Sequence, residues 1–230
     1  MLARFRLLCV LICAFLAAAC SYHSRLSADI YPTENRSPAL PVRLLLASDT
    51  SGQKYFVFKD YHLSTAVHAY KIDLRKGALI ATADALGTLF SQVAVDKPKH
   101  ATEYDYLVRL TYHVTDPREN SLESVQWLNY SQMPHLQTHV TLTFENPQTG
   151  EVFYTAYATR QHQVELNNTT AAALRAETAS SLSLALPLTT SVYTQQMGER
   201  IKYTLSRDLR HCLEEIMQTL QADQAVFTGQ

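Results

Sequence analysis

"THVTLTFENPQTGEVFYTAYATRQHQVEL", residues 138–166, sets Val140, Leu142 and Phe144 against His139, Thr141 and Thr143 in strict alternation, breaks at Asn146–Gly150, and resumes as a second extended run. Side chains of a strand point alternately to two faces, so this period marks a strand with one buried and one wet side. The break has its own chemistry. Pro147 fixes φ at the second position of a type I turn, and Gly150 accepts the left-handed conformation that closes the loop. The stretch predicts a β-hairpin whose apolar face needs a cover.

Working outward, Tyr104, Tyr106, Val108, Leu110, Tyr112 and Val114 alternate with polar residues, Leu107 being the exception, which adds a third strand. Further upstream, "VRLLLAS" from Val42 and "KYFVFKDY" from Lys54 read as two strands separated by the turn residues 49–52. Over residues 75–94 the period becomes helical, with Leu79, Ala83, Leu86, Phe90 and Val93 spaced to share one face. Downstream, Met197, Ile201, Leu205, Leu209, Cys212, Ile216 and Leu220 trace a second helical stripe. Residues 169–187 are Ala- and Leu-rich; Leu182, Leu184 and Leu186 also alternate, and helix and strand both stay open there. Each predicted helix opens with a glycine, in "KGALI" and "MGERI", too short a likeness to establish a repeat. The expected fold is α+β: a largely antiparallel twisted sheet with two amphipathic helices packed on one face, in a single domain over residues 42–222, followed by a tail, 223–230.

The amino-terminal end has a different character. Arg4 and Arg6 precede an unbroken apolar run, Leu7–Leu16, and Ala17–Ala19 supply small residues ahead of Cys20. The run is too short for a membrane span, which takes about 20 apolar residues, and reads as a targeting signal over residues 1–19. Two processing routes fit: an ordinary A-x-A cleavage site, or the Ala-Ala-Ala-Cys that resembles the lipobox of bacterial lipoproteins, although Leu16 lies four residues before the cysteine where the lipobox usually has it three before. The lipobox resemblance implies a diacylglyceryl thioether on Cys20 and an acylated amine, and Ser21 in place of Asp implies the outer membrane. Several acyl chains hold a protein on a bilayer where one does so only marginally. Residues 20–41, with Pro32, Pro38 and Pro41 and no periodicity, are expected to be the lipidated cysteine and a flexible linker.

Composition excludes some roles. The chain carries 20 Lys and Arg against 21 Asp and Glu, and Arg4 and Arg6 leave with the signal, so the mature protein is slightly acidic. Its longest basic run is Arg75-Lys76, and nothing resembles the basic stripe that binds nucleic acid. With Cys9 and Cys13 removed and Cys20 alkylated, Cys212 stands alone on an apolar stripe and is expected to be a small buried hydrophobe. No glycine pair is spaced to cradle a phosphate, and G-x-S-x-G, H-E-x-x-H and C-x-x-C are absent from the sequence. Ser51-Gly52-Gln53-Lys54 matches S-x-x-K, but the strand-like run after it does not place lysine beside serine as a helix would, and no K-T-G follows. Nine histidines raise a metal site; His135 and His139, four apart on a strand, stand roughly 13 Å apart and do not chelate one ion unaided. No cofactor or metal is expected.

Aromatic residues are the remaining candidates. In simple alternation Phe153 and Tyr157 share the outer face of their strand, where water would meet them. Either the long 116–136 connection, with a short helix near 121–130 and the single Trp127, covers Phe153, or Trp127, Phe153 and Tyr157 form an apolar patch for a partner or lipid.

The order strand, helix, strand, the "YDYLVRL" strand, the "VTLTFENPQTGEVFY" hairpin and a terminal amphipathic helix is similar to small envelope lipoproteins with a TolB-amino-terminal or CsgG-like α/β domain, and to the LptE-type LPS-assembly lipoproteins. The resemblance spans about residues 42–222 and carries no functional residue except Cys20. It implies a non-enzymatic outer-membrane lipoprotein facing the periplasm, bound to the bilayer through Cys20 and to envelope protein partners, as an accessory subunit of an assembly, transport or secretion machine. A carrier of a lipid or other apolar ligand is the alternative.

Overall fold

The computed structural model describes residues 21–27, 40–48, 52–62, 66–95, 103–116, 134–164 and 186–228. In chain order the elements are β1 (Ser21–Arg25), β2 (Leu40–Ser48), β3 (Tyr55–His62), β4 (Ala66–Asp73), α1 (Arg75–Gly87), β5 (Phe90–Val95), β6 (Tyr106–Thr115), β7 (His135–Glu145), β8 (Val152–Gln163), α2 (Leu186–Ala222) and α3 (Ala225–Thr228). The strands form two sheets rather than one, a five-stranded β5-β2-β6-β7-β8 and a three-stranded β1-β4-β3.

The fold class is α+β, as the periodicities indicate. The antiparallel ladders β3–β4, β6–β7 and β7–β8 are the long ones. The parallel pairs β1–β4, β2–β5 and β2–β6 are shorter. The β7–β8 hairpin forms as predicted: Asn146 caps its turn by accepting from the backbone N–H groups of Gln148 and Thr149, and Gly150 takes φ 71°.

One continuous core lies between the five-stranded sheet and the two long helices. It joins Leu44 and Leu46 of β2, Val108 and Leu110 of β6, and Val140, Leu142 and Phe144 of β7 to the stripe from Met197 to Leu220 on α2. All seven residues of that predicted stripe are fully buried. Leu107, the exception to alternation in β6, packs on the opposite face with Leu45 and Ala47.

Several expectations require correction. The first helix ends at Gly87, not near residue 94; Thr88 turns back onto the carbonyl of Ala85 and the chain continues as β5, parallel to β2. The apolar spacing misled because Phe90, on the strand, also points into the core, in phase with the helix before it. The buried face of α1 is made of small residues, Gly77, Ala78, Ala81, Thr82 and Ala85 with Leu86, while Leu79 and Ala83 lie at its margin. Residues 66–73, to which no strand was assigned, form β4. The linker expected over residues 20–41 begins instead with a strand: β1 pairs with β4 from Ser21 onward, and Leu26 donates its N–H to the Asp73 carbonyl. At the other end, the supposed tail holds α3, whose Phe227 is buried. The 121–130 helix, Trp127, and the open question at 169–185 lie outside the described residues; from Leu186 the chain is helical.

Candidate functional site

The residue after Cys20 opens β1, so any chemistry at Cys20 bears directly on how that strand is held. Two helix positions lack side chains where β1 passes. A Cβ built on Gly77 of α1 would stand 2.5 Å from the carbonyl oxygen of Leu26, and one on Gly198 of α2 would meet the ring of Tyr22. Glycine in a helix interior forfeits roughly 1 kcal/mol relative to alanine, so close approach is the physical reason for both. These are the glycines of "KGALI" and "MGERI". Their likeness does not reflect a duplication; both admit the same strand.

Tyr22 then reaches past α2, its hydroxyl donating to Glu199 Oε1 at 2.7 Å, while Lys202 Nζ lies 2.7 Å from Glu199 Oε2. Lys202 and Tyr22 together hold the Glu199 carboxyl below its usual range. Burial, with the Glu199 charge added, pushes the Tyr22 hydroxyl up to about 12. The Tyr22 ring packs 6.4 Å from that of Tyr70, which is fully buried. Neither the glycines nor Tyr22 stood out in the sequence as functional; the shared glycine after an extended stretch was the one available sign.

Phe153 and Tyr157 are not brought together. In the β7–β8 ladder Phe144 pairs with Tyr154 and Glu145 with Val152, leaving Phe153 as the extra residue of a β-bulge. The bulge reverses its side relative to simple alternation. Phe153 stacks on Tyr106 at 4.6 Å between ring centres and meets Phe144 and Phe227 at 6.4 and 6.0 Å. The cover lies in α3, with Phe153 still 37% exposed. Tyr157 stands 74% exposed on the other face, opposite Thr141.

Beneath β8, α2 carries a buried polar layer that the sequence did not reveal. Asp208 is fully buried, its Oδ1 2.6 Å from His162 Nδ1 on β8 and 3.8 Å from Arg207 Nε. Burial raises the Asp208 carboxyl above its ordinary range, with His162 and Arg207 opposing. Tyr112 donates to the Leu205 carbonyl at 3.5 Å, and burial raises its hydroxyl too. One turn past Asp208, the Cys212 thiol is pushed by burial up to about 12. A thiol in that state is a packing group, not a nucleophile.

Among the described residues, no three His, Cys, Asp or Glu side chains are grouped to hold a metal ion. His113 and His139 are neighbours across β6 and β7, and His139 Nδ1 lies 3.1 Å from the Thr159 hydroxyl. Lys54 sits over the ring of Tyr55, its partner in the S-x-x-K string, Ser51, lying outside the described residues. A shallow cleft of about 260 Å³, counted with the solvent at its mouth, is lined by Gly52, Gln53, Arg75, Leu79 and Tyr112 among others. No described helix is long and apolar enough to cross a membrane.

The chain matches no model of a known protein family, and no curated protein matches it. Solved structures give loose likenesses. A protein of Xanthomonas campestris superposes with a TM-score of 0.37 at 9% identity, covering 89% of this chain and 99% of its own. The PelC dodecamer of Paraburkholderia phytofirmans gives 0.29 at 13%, covering 77% and 94%. Uncharacterized lipoprotein B of Nitrosomonas europaea gives 0.30 at 12%, covering 79% and 96%. At superpositions this loose, none of them supports an argument about what this chain does.

Proposed function

We propose that this chain is a non-enzymatic outer-membrane lipoprotein, moored through Cys20 and facing the periplasm, that serves as an accessory subunit of an envelope assembly, transport or secretion machine. The observation that carries the reading is the fit of β1 over Gly77 and Gly198. The residue that would bear the lipid leads without a spacer into Ser21–Leu26, which meets Gly198 through Tyr22 and Gly77 through Leu26, so the anchor and the folded body act as one part. The titratable groups support a contact role as well. Asp208, Tyr112 and Cys212 are spent on packing, with shifts whose largest cause is burial.

The carrier reading has less support, because the space between the five-stranded sheet and the helices is occupied by the continuous side-chain cluster from Leu44 to Leu220. Between these described elements an apolar ligand would have to displace side chains. The test is mass spectrometry of the mature amino terminus followed by gentle-detergent isolation with Cys20 intact. Diacylated Cys20 and a stoichiometric protein partner, both lost from the membrane fraction in Cys20→Ala, support the reading. An unmodified thiol overturns the anchor, and co-purified lipid without a protein partner favours the carrier.

A further inference from the structure

The two margins of the five-stranded sheet are unlike. β5 is a strand of 6 residues parallel to β2, whereas β8 runs for 12 residues and, among the described residues, has no neighbour on the side away from β7. The β7–β8 ladder determines which backbone groups β8 leaves open. Val164 donates its N–H to the Pro134 carbonyl at 3.0 Å, and opposed residues of an antiparallel pair exchange hydrogen bonds at every second position. Along the register, His162, Arg160, Ala158, Ala156 and Tyr154 therefore turn their N–H and C=O groups toward β7. Thr155, Tyr157, Thr159, Gln161 and Gln163 turn theirs outward, and all five of these residues are exposed. A long regular edge is a template for another strand, and an edge that stays free is usually guarded by Lys, Pro or a bulge. The bulge of β8 lies at its start, beside Phe153, and the outward row carries neither charge nor proline. Arg160 and His162 lie on the helix side, where Glu215 Oε2 stands 2.7 Å from Arg160 and Asp208 Oδ1 2.6 Å from His162, so α2 already compensates both.

We propose that the β8 edge is the seam of a two-fold homodimer. Residues 155–163 of one copy add antiparallel to the same residues of a second, centred on Thr159, and join two five-stranded sheets into one. The occupant is a second copy because the edge is complementary to itself. In this register Tyr157 faces Gln161 of the second copy and Thr155 faces Gln163. On the helix side Arg160 and His162 face Ala158 and Ala156, which are buried within each monomer. No charge meets a like charge, and each cation stands across from a small apolar side chain. Centring the pair on Arg160 instead would set two guanidinium groups against each other, which fixes the choice between neighbouring registers. Two-fold pairing uses the same surface on both copies and consumes both edges, so assembly stops at two. The inference goes beyond the envelope role and is independent of what happens at Cys20.

The test uses the full-length protein in mild detergent, with Thr159→Cys, Gln163→Cys or His113→Cys oxidised by copper phenanthroline and wild type as the blank. Opposed Cα atoms of a hydrogen-bonded antiparallel pair stand about 5.5 Å apart, within the span of a disulfide. Thr159→Cys should form a disulfide-linked dimer several-fold faster than Gln163→Cys. His113→Cys, exposed on the interior strand β6, should not exceed the blank. Sedimentation at micromolar concentration, with bound detergent subtracted, should give the mass of a dimer for wild type. Gln161→Pro deletes an outward N–H while leaving the ladder to β7 intact, and should halve that mass. Thr159→Lys, which sets like charges face to face without touching the backbone, should do the same, with the circular dichroism of wild type retained in each. A monomeric wild type overturns the proposal. So does equal crosslinking at 159, 163 and 113, or a dimer that both folded variants leave whole. Assemblies larger than two overturn the two-fold closure, and a disulfide from position 159 to a different protein assigns the edge to that partner instead.

Discussion

The two halves of α2 meet the rest of the chain by opposite means. Around Gly198 the helix gives up a side chain so that Tyr22 can approach, and the polar contact made there, Tyr22 to Glu199, sits near solvent and joins residues 177 positions apart. Around Asp208 the helix buries a charge against the edge strand β8 and pairs it with His162. The first contact depends on shape, the second on electrostatics held out of water. Shape tolerates no added atom, and the two carboxyls beside these contacts, Glu199 held low and Asp208 raised, answer acid with opposite signs.

The largest effect should come from adding atoms beneath β1. Gly77→Val places Cβ against the Leu26 carbonyl oxygen, which is backbone and cannot rotate aside, and should cost about 3 kcal/mol in urea denaturation. Amide exchange over Ser21–Arg25 should rise at the same time. Unchanged stability there would break the comparison.

Phe227→Ala comes next. Phe227 touches Phe90, Tyr106, Phe144, Phe153 and Tyr154, and its loss should cost about 3 kcal/mol, measured the same way. A negligible cost would return residues 223–230 to the status of a tail.

Acid sharpens the contrast between the halves. The Asp208 carboxyl titrates above its unfolded value because burial disfavours its charge, so the folded state binds that proton more tightly. Its contribution is therefore fully present below the ordinary Asp range and is lost as pH rises through the folded value. Glu199 has the opposite sign: held low by Lys202 and Tyr22, it contributes above the ordinary Glu range and loses that contribution as pH falls through its folded value. In denaturation midpoints taken between pH 7 and pH 4, wild type should gain on Asp208→Asn and lose on Glu199→Gln as pH falls. Parallel curves for all three proteins would remove the electrostatic half of the comparison. The smallest effect belongs to Tyr157→Ser, within about 0.5 kcal/mol, because the side chain is mostly in water, whereas Phe153→Ser in the aromatic cluster should cost more.

Legibility followed the same division. The hairpin could be read because its pattern is local: alternation from Thr138 to Phe144 and the Asn146–Gly150 turn need no distant partner to define them. The α2 stripe was legible for the same reason. β1 was not, since Ser21–Arg25 has no apolar period of its own and becomes a strand only beside β4, nearly fifty residues away. Alternation also failed at Phe153, where one inserted residue reverses the face, and the α1 boundary failed because Phe90 continues a helical spacing from within a strand. Asp208 carried no sign at all: an acidic residue beside a helical stripe reads as solvated until the edge strand covers it. The strand that opens at Ser21, directly after the expected anchor Cys20, left no such local sign.

The parallel pairing of β1 with β4 also sets how the protein bears mechanical load. A pull outward on residue 20 draws β1 lengthwise, so its five registered residues share the force together instead of unzipping in turn. Tyr22, lodged against Gly198 behind the first rung, must drag its ring across the helix before the strand can slide. A tug transmitted from a moving partner to the amino terminus would therefore be resisted in shear, and the domain would yield there by slipping, not by peeling.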